Sequence, residues 1–224
     1  MSRRLLPIFA VALSAVAASA FTVGRGGWAV ITVEDLPEHL VAGKPIAVSF
    51  VVRQHGVTLL SGLKPTVFAK SGNAQVQAAA IPGKKDGSYS STLVVPSGGD
   101  WTITIASGFM NSNVTLAPLQ ALTTGSPTPR VIAAAERGKQ LYVAKGCTTC
   151  HVHGAVEASG RVKAGPDLTP KRYQAEYLAK LLDDPSIART PGQMNTMPKL
   201  ELRPTEVAAI TAFINADRQV SAKQ

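Results

Sequence analysis

Between Trp28 and about Leu119, apolar and polar residues alternate in short runs separated by Gly, Pro, Asn and Asp, the pattern of half-buried strands. Pro45 to Arg53 is the clearest run: Ile46, Val48, Phe50 and Val52 fall on one face. Val51, on the other, predicts that this second face is not fully solvated. Further strands are predicted at Trp28 to Val33, Pro65 to Lys70, Ala74 to Ala80, Ser88 to Val95, Trp101 to Ile105 and Val114 to Leu119. Lys84-Lys85-Asp86-Gly87 and Ser97-Gly98-Gly99-Asp100 are the turn signals between the later runs.

About seven short strands in this span predict an all-β immunoglobulin-like sandwich over residues 28–119, without the cysteine pair of antibody domains. Tyr89, in Asp86-Gly87-Ser88-Tyr89, is a candidate tyrosine corner. Residues 120–130 contain Thr123-Thr124-Gly125-Ser126-Pro127-Thr128-Pro129, which reads as an extended, flexible interdomain linker. Beyond it the hydrophobic period becomes helical. Val131 to Lys145, Tyr173 to Leu182 and Thr205 to Ala216 carry apolar residues three and four apart, predicting an all-α domain over 131–219. Gly146 sits where a left-handed cap would end the first helix, and Pro204 at the first position of the last. Arg203 stands where Ser or Asp would normally cap that helix, so a poor cap is expected.

Composition changes the picture at the N-terminus. The chain of 224 residues is 45% hydrophobic and 17% charged, which excludes disorder for most of it, and its two cysteines exclude a disulfide framework. Residues 1–24 read as an export signal: Arg3 and Arg4 precede an apolar stretch from Leu5 to Ala17, and Ala18-Ser19-Ala20 has the form of a cleavage site. Left uncleaved, the charge-free stretch up to Arg25 is long enough to serve as a membrane anchor. In either case the positive-inside rule places the rest of the chain on the periplasmic side of the cytoplasmic membrane. The net charge is +9, and of 23 basic residues only Arg3 and Arg4 lie in the first 20, so the mature chain stays basic. Nucleic acid is not an expected partner, because the chain has neither a basic helix nor an aromatic platform.

The chemistry concentrates in Cys147-Thr148-Thr149-Cys150-His151, directly after a predicted helix. Two thiols at this spacing reach the two vinyl groups of one haem, and the next histidine lies under the iron. The rival readings are a thioredoxin-like redox pair, which wants a βαβ surround, and half of a zinc site, which needs further ligands.

The second domain resembles the small monohaem cytochromes c, over about Val131 to Arg218. Gly138 and Tyr142 resemble the glycine and aromatic of that family's N-terminal helix, and Ile210 and Phe213 the matching apolar pair of its C-terminal helix. Gly165-Pro166-Asp167-Leu168 is similar to the loop whose proline carbonyl holds the proximal histidine. Met197-Pro198 matches the segment that supplies the sixth ligand, with Met194 as a competitor that lacks the following proline. The resemblance therefore implies one covalent haem c held by Cys147 and Cys150, ligated by His151 and Met197 and oriented through Pro166. Tyr142, Leu168, Ile210 and Phe213 would build its pocket. His/Met ligation closes the iron and implies a single-electron carrier rather than a catalyst, docked on or part of a respiratory or photosynthetic membrane complex.

Arg161, Lys163, Lys171, Arg172 and Lys199 flank the expected haem segments and fit an acidic docking surface on a redox partner. His153 is expected to be exposed. The β domain loosely resembles bacterial immunoglobulin-like modules and reads as a spacer or docking module. Two other functions stay open: a haem gas sensor or small-ligand enzyme with a labile Met197, and a copper-handling protein using His39, His55 and Met110.

Overall fold

The computed structural model describes residues 27–123, 125, 129–156, 162, 164–169, 172–188 and 197–216. The signal or anchor at 1–24, Met194, Arg161, Lys163 and Lys171 lie outside them. Among the described residues no helix is long and apolar enough to cross a membrane.

The alternating runs form β1 (Ala29–Val33), β2 (Leu40–Val41), β3 (Pro45–Gln54), β4 (Thr58–Leu59), β5 (Thr66–Ser71), β6 (Ala74–Ala79), β7 (Ile81–Pro82), β8 (Ser88–Val94), β9 (Gly99–Ala106), β10 (Asn113–Thr115) and β11 (Leu119–Leu122). One sheet has the order β1-β3-β8-β7 and the other β2-β11-β9-β5-β6. Taking β1, β3, β8 and β7 as strands A, B, E and D, and β5, β9 and β11 as C, F and G, this is the immunoglobulin arrangement of two facing sheets. Val48, Phe50 and Val52 of β3, Tyr89 and Leu93 of β8, and Trp101, Ile103 and Ile105 of β9 are buried in the core. The indole N–H of Trp101 donates to the Ser97 carbonyl at 3.0 Å, so the largest core side chain buries no unpaired donor.

Two expectations change here. The predicted strand from Val114 to Leu119 splits into β10 and β11 around Pro118, which has no N–H for a ladder. β11 continues to Leu122 and pairs with β9 from Leu119↔Trp101 to Ala121↔Gly99, so the first residues assigned to the linker belong to the sandwich. Tyr89 is buried, but on β8 rather than at the start of the F-like strand. Its hydroxyl donates to Leu60 O (2.7 Å) and accepts from Leu63 N–H (3.0 Å), tying down a loop distant in sequence instead of making a local corner.

The helical half contains α1 (Ala134–Ala144), the single turn α2 (Cys147–Cys150), α3 (Ala175–Asp183), a 3₁₀ turn at Pro185–Ala188, and α4 (Pro204–Asn215). α1 starts three residues later than the periodicity predicts, and Val131 ahead of it is 94% exposed. Gly138 allows α1 to cross α4: a Cβ there would overlap the Ala209 carbonyl and lie 2.7 Å from Phe213 Cβ. α4 starts at Pro204, as expected. Arginine has no acceptor for a cap, but Glu206 supplies the other half of the box by accepting the Arg203 backbone N–H at 3.0 Å.

The domains are docked, which corrects the expectation of a cytochrome-like unit on a flexible tether. All five residues of β1 are buried, including Val30 and Thr32, whose side chains point away from the sandwich core. The corner between α1 and α2 covers them. Gly146, at φ +80°, presses against β1 so closely that a Cβ would lie 2.6 Å from Val30 Cγ1 and 2.7 Å from Ile31 O. Val51, cross-strand from Thr32, shares this covered face, which explains the apolar residue there. Arg137 donates to the carbonyls of Leu36 and Pro37 in the loop after β1. At the rim of the junction Arg203 pairs with Asp35 at 3.0 Å.

Candidate haem site

α2 is one turn long, so Cys147 and Cys150 stand three residues apart on one side of it. The turn is entered from Gly146 in the left-handed conformation and closed by the His151 N–H donating to Cys147 O at 2.8 Å. Burial pushes the Cys147 thiol up to about 12 and the Cys150 thiol in the same direction. Both are therefore held as neutral thiols. A thioredoxin-like pair requires a stabilised thiolate, the reverse of this environment. Among the described residues no group of three or more His, Cys, Asp or Glu side chains is arranged to hold a metal ion, which leaves the zinc reading without its further ligands.

His151 lies between the turn and the loop that follows. Its Nδ1 is 3.1 Å from Pro166 O, and since a carbonyl only accepts, Nδ1 carries the proton and Nε2 keeps its lone pair. Burial lowers the imidazole's pKa and so favours this neutral form, with the Pro166 bond opposing in part. The loop is locked to the turn by Gly165 N–H to Cys150 O (3.0 Å) and Leu168 N–H to Val152 O (2.8 Å). Any side chain at Gly165 would overlap the imidazole ring.

Tyr142, Leu168, Ile210 and Phe213 are all buried in the helical core. Tyr142 and Phe213 are tilted rings 5.3 Å apart. Met197 is half-buried and packs against the same core. His153 overturns the expectation of exposure: it is 5% exposed, 4.3 Å from the Phe213 ring and 5.9 Å from that of Tyr142. Sequence reasoning missed it because a histidine two residues past a ligand looks like loop polarity. The available signal was the facing pair of aromatics on two other helices.

The donor set fits a c-type haem: two neutral thiols on one turn, an imidazole with its tautomer fixed, a half-buried thioether, and a glycine that leaves the imidazole face clear. The copper constellation is not assembled. His55 packs on Trp28 at 5.4 Å, beside the end of β1 where Ala29 pairs with Gln54, and Met110 is exposed. His39 follows the other end of β1, where it lines a small cleft with Pro118, Gln120 and Gln140. Of the basic residues expected around the site, Arg172 is tied to the end of α4 through Ala216 O (3.0 Å), and Lys199 is exposed.

Residues 135–216 match the family model described as Cytochrome c. No curated protein matches the chain. Among solved structures the chain is similar to the Lin-41 filamin domain, at 17% identity and TM-score 0.34, over 42% of this chain and 90% of that one. It is also similar to domains 4 and 5 of the S-layer protein SbsC, at 18% identity and TM-score 0.31, over 41% of this chain and 44% of that one. A third is the C-terminal domain of ZirS, at 11% identity and TM-score 0.31, over 55% and 86%.

Proposed function

Taking residues 135–216 as a cytochrome c domain, we propose that the protein is an exported single-electron carrier with one covalent haem, working on the periplasmic side of the cytoplasmic membrane, soluble or anchored by its N-terminal segment. The geometry above supports an assignment of its cysteines and ligands. Cys147 and Cys150 hold the haem through thioethers, and His151 Nε2 is the proximal ligand because Pro166 takes the other ring nitrogen. Met197, half-buried against the same core, would supply the second protein ligand. When bound, the haem contributes a one-electron couple at its iron, and two protein ligands raise its potential and leave no position for a substrate.

The carrying observation is the His151 to Pro166 bond beside two half-buried thiols held neutral. This arrangement suits iron ligation and thioether attachment, and it suits neither thiol redox chemistry nor zinc. The chain's basic excess supports an acidic docking surface on its redox partner, a membrane electron-transfer complex.

Spectra of the haem-loaded protein test this reading. The parent is expected to carry the mass of one haem, to show a methionine-to-iron charge-transfer band when oxidised, and to ignore carbon monoxide when reduced. Met197→Ala is expected to lose the band and bind carbon monoxide. Carbon monoxide binding by the parent would replace the carrier reading with a gas sensor or small-ligand enzyme.

A further inference from the structure

Lys145 ends α1, two residues before Cys147, and its side chain is 3% exposed. The buried ammonium has partners on two separate bodies: Glu206 Oε1 of α4 at 2.9 Å and the Glu34 carbonyl of the sandwich at 2.8 Å. The Lys145 carbonyl in turn faces Thr32 Oγ1 of β1 at 3.4 Å. Glu206, its side chain 5% exposed, also accepts from Arg203 at 3.2 Å, and Arg203 reaches Asp35.

A buried ion pair contributes little net stability, because the cost of desolvating both charges cancels much of their attraction. An apolar pair would fill the space as well. What the ammonium adds is direction, since its bonds fix α4, the end of α1 and the loop after β1 in one register. Gly146 then carries that register into the turn with no side chain between it and β1.

We infer that Lys145 is a positioning residue that registers the Cys147–His151 turn against the sandwich, so that both domains act as one electron-transfer body. The sandwich thereby sets the orientation in which the haem turn meets a partner. This deepens the proposed function and rests on its assignment of haem to that turn.

The test is amide hydrogen exchange and redox titration on the full-length, haem-loaded chain. Lys145→Met keeps an unbranched side chain of nearly the same length and removes the bonds. Exchange in β1 and in residues 146–151 is expected to accelerate together, by roughly 100-fold, as befits a buried pair with one partner removed. The midpoint potential is expected to fall, because removing the Lys145 ammonium takes a positive charge from beside the turn and so favours the oxidised, more positive haem. Glu34→Ala, which leaves the carbonyl in place, is expected to match the parent in both measurements. Acceleration in only one of the two segments, or an unmoved potential, overturns the inference.

Should Lys145→Met fail to fold, the parent decides the question. In native-state exchange at rising denaturant, the amides of β1 and of 146–151 must merge into one opening, and separate openings refute the coupling. A parent without covalent haem sinks the proposed function instead, while the exchange data still report on the junction.

Discussion

At the residue scale, Glu206 shows how burial and hydrogen bonding compete. Burial alone pushes its carboxyl up, but the Arg203 backbone N–H and the Lys145 ammonium outweigh it and hold the group below its ordinary value of 4.5. A carboxylate with a depressed pKa in the fold contributes stability that is present above the unfolded value and lost as pH falls through the folded one. Glu206→Gln is therefore expected to be less stable than the parent at neutral pH by about 3–5 kcal/mol, since it leaves a buried ammonium short of its partner. That gap should narrow as pH falls below 4.5, which denaturant titrations at several pH values would read out. A constant gap across that range would mean that the carboxylate's charge is not what matters.

At the element scale, the α1–α4 crossing depends on one missing side chain. Gly138→Ala places a methyl group against the Ala209 carbonyl and Phe213 Cβ, both held by helix backbone. Overpacking of this kind costs about 1–3 kcal/mol, more than the helix propensity an alanine returns. Denaturation of the variant should show a net loss, and unchanged stability would mean that the helices separate freely. The same elements show where the sequence was legible. Alternation in β3 and β8, and the three-and-four spacing of α4, located those elements to within a residue or two, because each buries one face on its own domain's core. Thr58–Leu59 and Ile81–Pro82 were not legible, since two-residue strands exist only through their partners. The contact between the Cys147–His151 turn and the Pro166 loop was legible because short motifs leave a local signature. The burial of His153 was not, because it depends on Phe213, sixty residues away, closing on it together with Tyr142 of the preceding helix.

At the scale of the whole molecule, the apolar Val51 on the outer face of β3 hinted at a cover and Lys145 gave no hint at all. A lysine at a helix end reads as solvated, and only the meeting of two domains shows it to be buried. Docking of this kind makes the domains a cooperative unit. Unfolding followed through the buried Trp101 in the sandwich and through the helical signal of the second domain should coincide in one transition. Two resolved transitions would mean that the junction adds no coupling.

The cover on β1 also bears on how the molecule is made. Thr32 and its neighbours leave the ribosome well before the residue that helps finish their outer face, which lies 113 positions later. Burial of this face thus lags its synthesis, and so long a loop must close before the contact returns any stabilisation. The first of the described strands therefore keeps one face open until the helical domain has been made.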